Sequence, residues 1–248
     1  MLRYISGFFI ALILAHSAIA NTIPKVTAKA WLLADQDGTM LEGAHITDKR
    51  SIASITKLMT VMVVLDSGQP LDEVLPKKLF GKRLDRKTII DLAIVKSNND
   101  SAKMLCDYYP TGYKACIEEM NIKAGKLGMT DTKFTDPTGL LNTNESTAKD
   151  LVKLVMAASS YPEIVLASNT NAIRLDISKK RHTEFRNTNY LVGHDIPFLV
   201  SKTGFINKSG GCIVMMLDTL HGMRTVILLG SRNTRTRIPE AYQIAMLN

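Results

Sequence analysis

The chain has 248 residues, 46% of them hydrophobic and 22% charged, with a net charge of +8. That length and apolar content build a sizeable core in one large domain or two small ones, and exclude a disordered or low-complexity polymer. Five histidines and three cysteines without H-E-x-x-H or other metal-ligand spacing give no metal site and no cofactor.

The first twenty residues read as a secretory leader. Arg3 supplies a positive start, Ile5 to Ala15 is apolar except for Ser6 and Gly7, and Ala18-Ile19-Ala20 has the small-x-small form of a cleavage site. The run is too short to span a bilayer comfortably. Cleavage after Ala20 leaves residues 21–248 as one exported domain, periplasmic and without a transmembrane segment, and loss of Arg3 lowers the charge to +7. Export argues against nucleic acid as the partner of this basic chain; a polyanionic envelope polymer suits both facts.

Next, "KAWLLADQDGTMLEG" predicts a hairpin with a tight primed turn at Asp37-Gly38. From about Ser54 to Asp66 the pattern is helical and apolar all round, the mark of a buried helix. "KTIIDLAIVKSNNDSAKMLCDYY" continues the helical region, with a polar break at Ser97-Asn98-Asn99, and a further helix runs from Gly112 to Leu127, stopping at Gly128. Thr147 and Asp150 open another helix, to about Ala158, in capping-box spacing. "PFLVSKTGFI", "GGCIVMML" and "MRTVILLG" predict an antiparallel meander, and "IPEAYQIAMLN" a short final helix. Strands at both ends with helices between define an α+β domain whose terminal strands share one antiparallel sheet. Cys106 and Cys116 flank "YYPTG" and either form a bridge, with Cys212 left over, or stay free thiols with it.

Chemistry concentrates at Ser54-Ile55-Thr56-Lys57. Residues i and i+3 share a helix face, and a lysine in an apolar helix is either exposed at its start or buried for a reason. A serine hydroxyl becomes a nucleophile when a neighbouring group takes its proton. Lysine can do so once burial and cationic neighbours lower its pKa from ~10.4 toward ~7–8. Ser146-Thr147-Ala148-Lys149 matches the same pattern, but Lys149, Asp150 and Lys153 form a polar face, so this copy reads as a solvated cap. Ser231-Arg232-Asn233 and Lys208-Ser209-Gly210 read as turns at strand ends.

The ordered set is more specific: Ser54-x-x-Lys57, then Ser97-Asn98-Asn99, then Lys202-Thr203-Gly204 interrupting an apolar strand. S-x-x-K, S-D-N and K-T-G together mark class A β-lactamases and penicillin-binding proteins. The longer stretches "RSIASITKLMTVMVVLD", "LGMTDTKFTDPTGL", "STAKDL", "FRNTNYLV" and "SKTGFINKSGGCIVMML" resemble the D-alanyl-D-alanine carboxypeptidase family of serine peptidases across nearly all of residues 21–248. The resemblance implies a β-lactamase/transpeptidase-like fold. It implies Ser54 as the acylated nucleophile, Lys57 as its base, and Ser97 as the proton relay to the departing amine. Asn99 would hold the substrate backbone, and Lys202 with Thr203 would steer its carboxylate, Lys202 also helping to keep Lys57 neutral. The backbone N–H groups of Ser54 and Phe205 would form the oxyanion hole, with Gly204 clearing the approach of a substrate strand. Peptidoglycan stem peptides and cross-links would be substrates, and β-lactam antibiotics acylating ligands.

Two departures refine this. The second motif reads Ser-Asn-Asn where carboxypeptidases commonly have Ser-Gly-Asn. The sequence stops soon after the last strand, without the β-rich domain and anchoring helix of many members. The short form with "SKTGFIN" resembles the D-alanyl-D-alanine endopeptidase branch, which cuts D-alanyl–diaminopimelate cross-links; trimming of pentapeptide stems is the alternative. A β-lactamase would need a deacylating Glu in E-x-x-L-N, and none of Glu118, Glu119, Glu145, Glu163 or Glu184 begins that pattern. A non-catalytic wall-binding protein would not need every chemistry-bearing motif residue, and all are present.

Overall fold

The computed structural model describes residues 25–178 and 181–247, so the expected leader lies outside the described residues. Strand β1 (Ala30–Ala34) pairs with β2 (Met40–Ala44) across a loop rather than the expected two-residue primed turn. Gly38 N–H donates to the Asp35 carbonyl and Asp35 N–H to that of Thr39, and Gly38 has φ +80°. The Asp35 side chain also accepts from the N–H groups of Asp37 and Thr39, which favours the longer loop.

After the short strand β3 (Arg50–Ser51), a 3₁₀ turn at Ala53–Ile55 leads into α1 (Thr56–Asp66). Every residue from Thr56 to Val64 is buried, as an all-round apolar helix requires. The helical stretch that follows divides into α2 (Arg86–Val95) and α3 (Asn99–Asp107). Asp85 caps the first by accepting from Thr88 N–H, and Asn98 caps the second through Ser101 N–H. Helix α4 (Tyr113–Lys126) ends where expected: Gly128, at φ +69°, donates to Gly125 O while Met129 N–H reaches Ala124 O, a Schellman closure. Cys106 and Cys116 are joined, tying α3 to α4, and Cys212 is free and buried.

Strand β4 (Glu145–Ser146) pairs with β3 and precedes α5 (Ala148–Ala158), capped by Thr147 as expected. Asp150 does not lie on a solvated face: it is buried and accepts from Asp131 N–H and Thr132 Oγ1. Helix α6 (Pro162–Asn169) and the hairpin β5 (Ala172–Ser178) and β6 (Arg181–Arg186) add to the predicted elements; Ile173, Leu175 and Ile177 alternate with polar residues along β5. The meander follows as β7 (Phe198–Ile206), β8 (Gly210–Thr219) and β9 (Gly222–Ser231), then α7 (Arg237–Ala245).

The main sheet runs β2-β1-β9-β8-β7, antiparallel throughout, so the terminal strands meet at its centre. Strand alternation divides the core. Ala30, Leu32, Val214 and Ile227 face the large helical layer, whereas Trp31, Leu33, Ile213 and Leu228 face α7. Strand β7 is an edge strand, and at Gly204 it packs against the 3₁₀ turn that carries Ser54.

Candidate active site

Three separate segments converge beside edge strand β7. The 3₁₀ turn holds Ser54 part-exposed, one turn before fully buried Lys57. The α2–α3 break presents Ser97 at φ +58°, in the left-handed region, and Asn99 at the first turn of α3. Asn98, the departure from the carboxypeptidase pattern, makes the cap of α3, a role its short polar side chain fills well. Strand β7 supplies buried Lys202 and Thr203.

Lys57 Nζ lies 2.8 Å from Ser54 Oγ, 2.8 Å from Asn99 Oδ1 and 2.5 Å from the Thr138 carbonyl oxygen. Burial lowers the Lys57 pKa to about 7, against the raising influence of the Asp136 charge. A neutral amine has two N–H donors and one lone pair. Asn99 Oδ1 and the Thr138 carbonyl only accept, so they take both donors, leaving the lone pair for the Ser54 hydroxyl proton.

Lys202 Nζ donates to Ser97 Oγ at 2.8 Å and to the Thr203 carbonyl at 2.9 Å. Burial, then repulsion from the Lys57 and Arg237 charges, holds its pKa well below the ordinary lysine value. Burial is the first cause of the lowering in both lysines, and the repulsion between their charges is mutual.

Gly204 also has a reason within the fold to lack a side chain. A Cβ there would lie 2.9 Å from Ser54 N and 3.0 Å from Ile52 O, so the protein's own 3₁₀ turn approaches this strand closely. Phe205 follows directly, its ring 43% exposed, and the Gly204 carbonyl accepts from the Arg237 guanidinium at 2.6 Å. Thr203 Oγ1 pairs with Thr188 Oγ1 at 2.8 Å.

The turn Asp136–Leu141 was missed as a contributor. Buried Asp136 accepts from the N–H groups of Thr138, Gly139 and Leu141 and from Thr138 Oγ1, winding the turn that aims the Thr138 carbonyl at Lys57. Asn144 fixes the same turn through Thr135 and Asp136 N–H, and its Nδ2 reaches the Asp136 carbonyl and Thr56 Oγ1. Gly139 has φ +77°, and a Cβ would stand 1.9 Å from Ala53 O. The "DPTGL" stretch carried a turn signal in Asp, Pro and Gly, but nothing local to it points to a lysine 81 residues earlier.

The other motif copies stay apart. Ser146 Oγ is buried against Thr132 Oγ1 at 2.7 Å while Lys149 is exposed. Ser209 closes the β7–β8 turn on the Ile206 backbone, and Ser231 ends β9 opposite Gly211.

A buried lysine amine facing a serine hydroxyl, with a second lysine and serine beside it on an open sheet edge, defines a serine peptidase of the lysine-base class. The D-alanyl-D-alanine carboxypeptidase family (peptidase S11) matches residues 17–79 and 75–229, and the chain belongs to that family. It is 39% identical to a D-alanyl-D-alanine endopeptidase of Escherichia coli over 85% of this chain and 77% of the relative. It is 34% identical to one of Pseudomonas aeruginosa, over 95% and 84%. A Streptomyces DD-transpeptidase superposes with a TM-score of 0.82 at 25% identity, covering 89% of this chain and 97% of that one. An ampicillin-bound penicillin-binding protein of Listeria monocytogenes, at 24% identity and TM-score 0.78, shares the fold.

Proposed function

We propose that the protein is an exported serine DD-peptidase that opens D-alanyl–diaminopimelate cross-links of peptidoglycan through an acyl-enzyme on Ser54. The observation that carries the chemistry is the Lys57 amine, buried, with a pKa near 7, 2.8 Å from Ser54 Oγ. Lys57 takes the Ser54 proton as Oγ attacks the D-alanyl carbonyl, and the backbone N–H groups of Ser54 and Phe205 hold the developing oxyanion. Ser97, bonded to Lys202, passes a proton to the departing amine, while Asn99 holds the substrate backbone. Lys202 and Thr203 face the substrate carboxylate. Water then hydrolyses the ester and restores Ser54. Penicillins acylate the same serine, and their slow release traps it.

The endopeptidase names of the two relatives above favour the cross-link over the pentapeptide terminus. The Cys106–Cys116 bond supports export with removal of residues 1–20, since disulfides persist in oxidising compartments. Among the described residues no single helix is long and apolar enough to cross a membrane. Digestion of mixed muropeptides, cross-linked dimer with pentapeptide monomer, tests the reading against a Ser54→Ala control. Conversion of dimer to monomers by the wild type alone is the expected result. Release of terminal D-alanine with dimer intact would reassign the protein to pentapeptide trimming, and no change in either substrate would sink the peptidase reading.

A further inference from the structure

The net charge of +7 left after the leader is removed is not spread over the molecule. Residues 77–87, "KKLFGKRLDRK", hold six cations and one acid, a net +5. Residues 172–186, the β5–β6 hairpin, hold five cations and two acids, a net +3. The rest of residues 21–248 comes to −1, so these two stretches account for the whole excess.

They are also packed together. Phe80 and Phe185 stack with ring centroids 4.5 Å apart, and Lys82 Nζ donates to the Asp176 carbonyl. Arg83 folds back on the Pro76 carbonyl at 3.1 Å. Arg86 is buried and paired with Glu73, and Lys87 pairs with Asp91. Lys77, Lys78, Lys82 and Arg83 are exposed and, among the described residues, make no ion pair. Exposed Arg174 and Arg186 extend the surface along the hairpin, each beside one acid. The hairpin leads directly to the reaction centre: Thr188 N–H donates to Val95 O, two residues before Ser97, and Thr188 Oγ1 meets Thr203 Oγ1.

We propose that this basic surface is a docking site for the peptidoglycan polymer, binding carboxylates of stem peptides next to the one being cut. The inference rests on the peptidase reading above. An active-site cleft binds one cross-link, whereas the wall is an insoluble mesh bearing free carboxylates at every stem. Several unpaired cations on the surface that the β5–β6 hairpin shares with residues 77–87 raise the local concentration of such a polyanion and keep the enzyme on it between cuts. Lysines on flexible stems suit a partner whose carboxylates have no fixed spacing. The attraction is long-ranged only at low salt, because the screening length falls from ~10 Å at 0.1 M to ~3 Å at 1 M.

Co-sedimentation of the mature chain with purified sacculi, in a Ser54→Ala background so that nothing is cut, tests this. Replacing Lys77, Lys78, Lys82 and Arg83 by Glu should weaken binding at least tenfold at 50 mM salt. Sacculi whose carboxylates are amidated with glycinamide should give a similar loss with the unsubstituted surface. With Ser54 restored, the four-fold variant should take up fluorescent penicillin at the wild-type rate within about twofold, and slow selectively on sacculi. A Gln version of the variant serves if the Glu version folds poorly. Undiminished binding by either variant, or equal binding to amidated sacculi, overturns the proposal. So does charge-dependent binding confined to anionic phosphatidylglycerol vesicles, which would assign the surface to the membrane. Wild-type protein that binds sacculi but ignores penicillin would instead defeat the peptidase reading and leave the docking surface standing.

Discussion

Ser54-x-x-Lys57 and Ser146-x-x-Lys149 spell the same motif, and each opens a helix. In the first, Lys57 is fully buried and Ser54 part-exposed; in the second the order is reversed, with Ser146 buried against Thr132 and Lys149 in solvent. The two copies differ in what surrounds the lysine. Helix α1 lies in the centre of the molecule, so Lys57 gives up its proton readily, and the Asp136 turn and Asn99 occupy its N–H donors. Helix α5 has part of its polar edge at the surface, and Lys149 is exposed there. Motif spacing sets who can touch whom; burial sets whether the contact has chemical consequences.

Breaking the first copy should have the largest effect. Lys57→Ala should lower the rate of Ser54 acylation at least ~10³-fold, measured by fluorescent penicillin uptake, with the fold retained by circular dichroism. Gly139→Ala comes next. Its methyl group would fall on the Ala53 carbonyl, and the φ of +77° is strained for any side chain. We expect a loss of about 2–4 kcal/mol in urea unfolding, with acylation reduced because the same turn seats Lys57.

A third comparison uses pH. With Lys57 at about 7, the acylation rate should fall below pH ~7 as the amine protonates. Because the folded pKa lies below the unfolded value of 10.5, the unfolded chain binds more protons in between. The contribution of Lys57 to stability therefore rises with pH from about 7 to 10.5. Asp136→Asn removes the charge that raises Lys57 while keeping an acceptor for the turn, so the acid limb should move down by about one unit. A pH–rate profile unmoved by that substitution would show that Asp136 acts on the turn alone. The smallest effects belong to the second copy. Ser146→Ala should cost about 1 kcal/mol through its lost hydrogen bond, Lys149→Ala within about 0.5 kcal/mol, and neither should change acylation.

Much of this was legible in the sequence, for identifiable reasons. Helix α1 announced itself by apolar residues on every face, α4 by Gly128, α5 by Thr147, and the meander by three β-branched runs between turn residues. The pair Ser54–Lys57 could be anticipated from its spacing and the family resemblance, whereas the Ser97–Lys202 bond emerged only in the structure. What escaped depends on contacts between distant segments. Along β5 Ile173, Leu175 and Ile177 do alternate with Arg174, Asp176 and Ser178, a period-two signal that went unread because the run is short and its partner β6 is mostly polar, and α6 is short. Asp150 looks solvated along its own helix and is buried only because Asp131 and Thr132 fold over it. Asp136 and Asn144 read as ordinary loop residues until the turn they hold is laid against Ala53. The packing of Gly204 against Ile52 and Ser54 was likewise not visible along the chain.

The pairing of β1 with β9 also bears on timing. Ala30 stands opposite Leu229 in the register, so the first strand has its inner neighbour only when nearly all of the chain exists. Until then the β1–β2 hairpin is an isolated ribbon, marginal on its own, and sheet closure waits on a contact of very long sequence separation, which slows folding. A newly made chain therefore cannot close its main sheet until β9 has been made. For a protein proposed to cross a membrane before it works, that delay is useful: the last strand completes the sheet, and with it the β7 edge on which the reaction centre is built, at the far side of the journey.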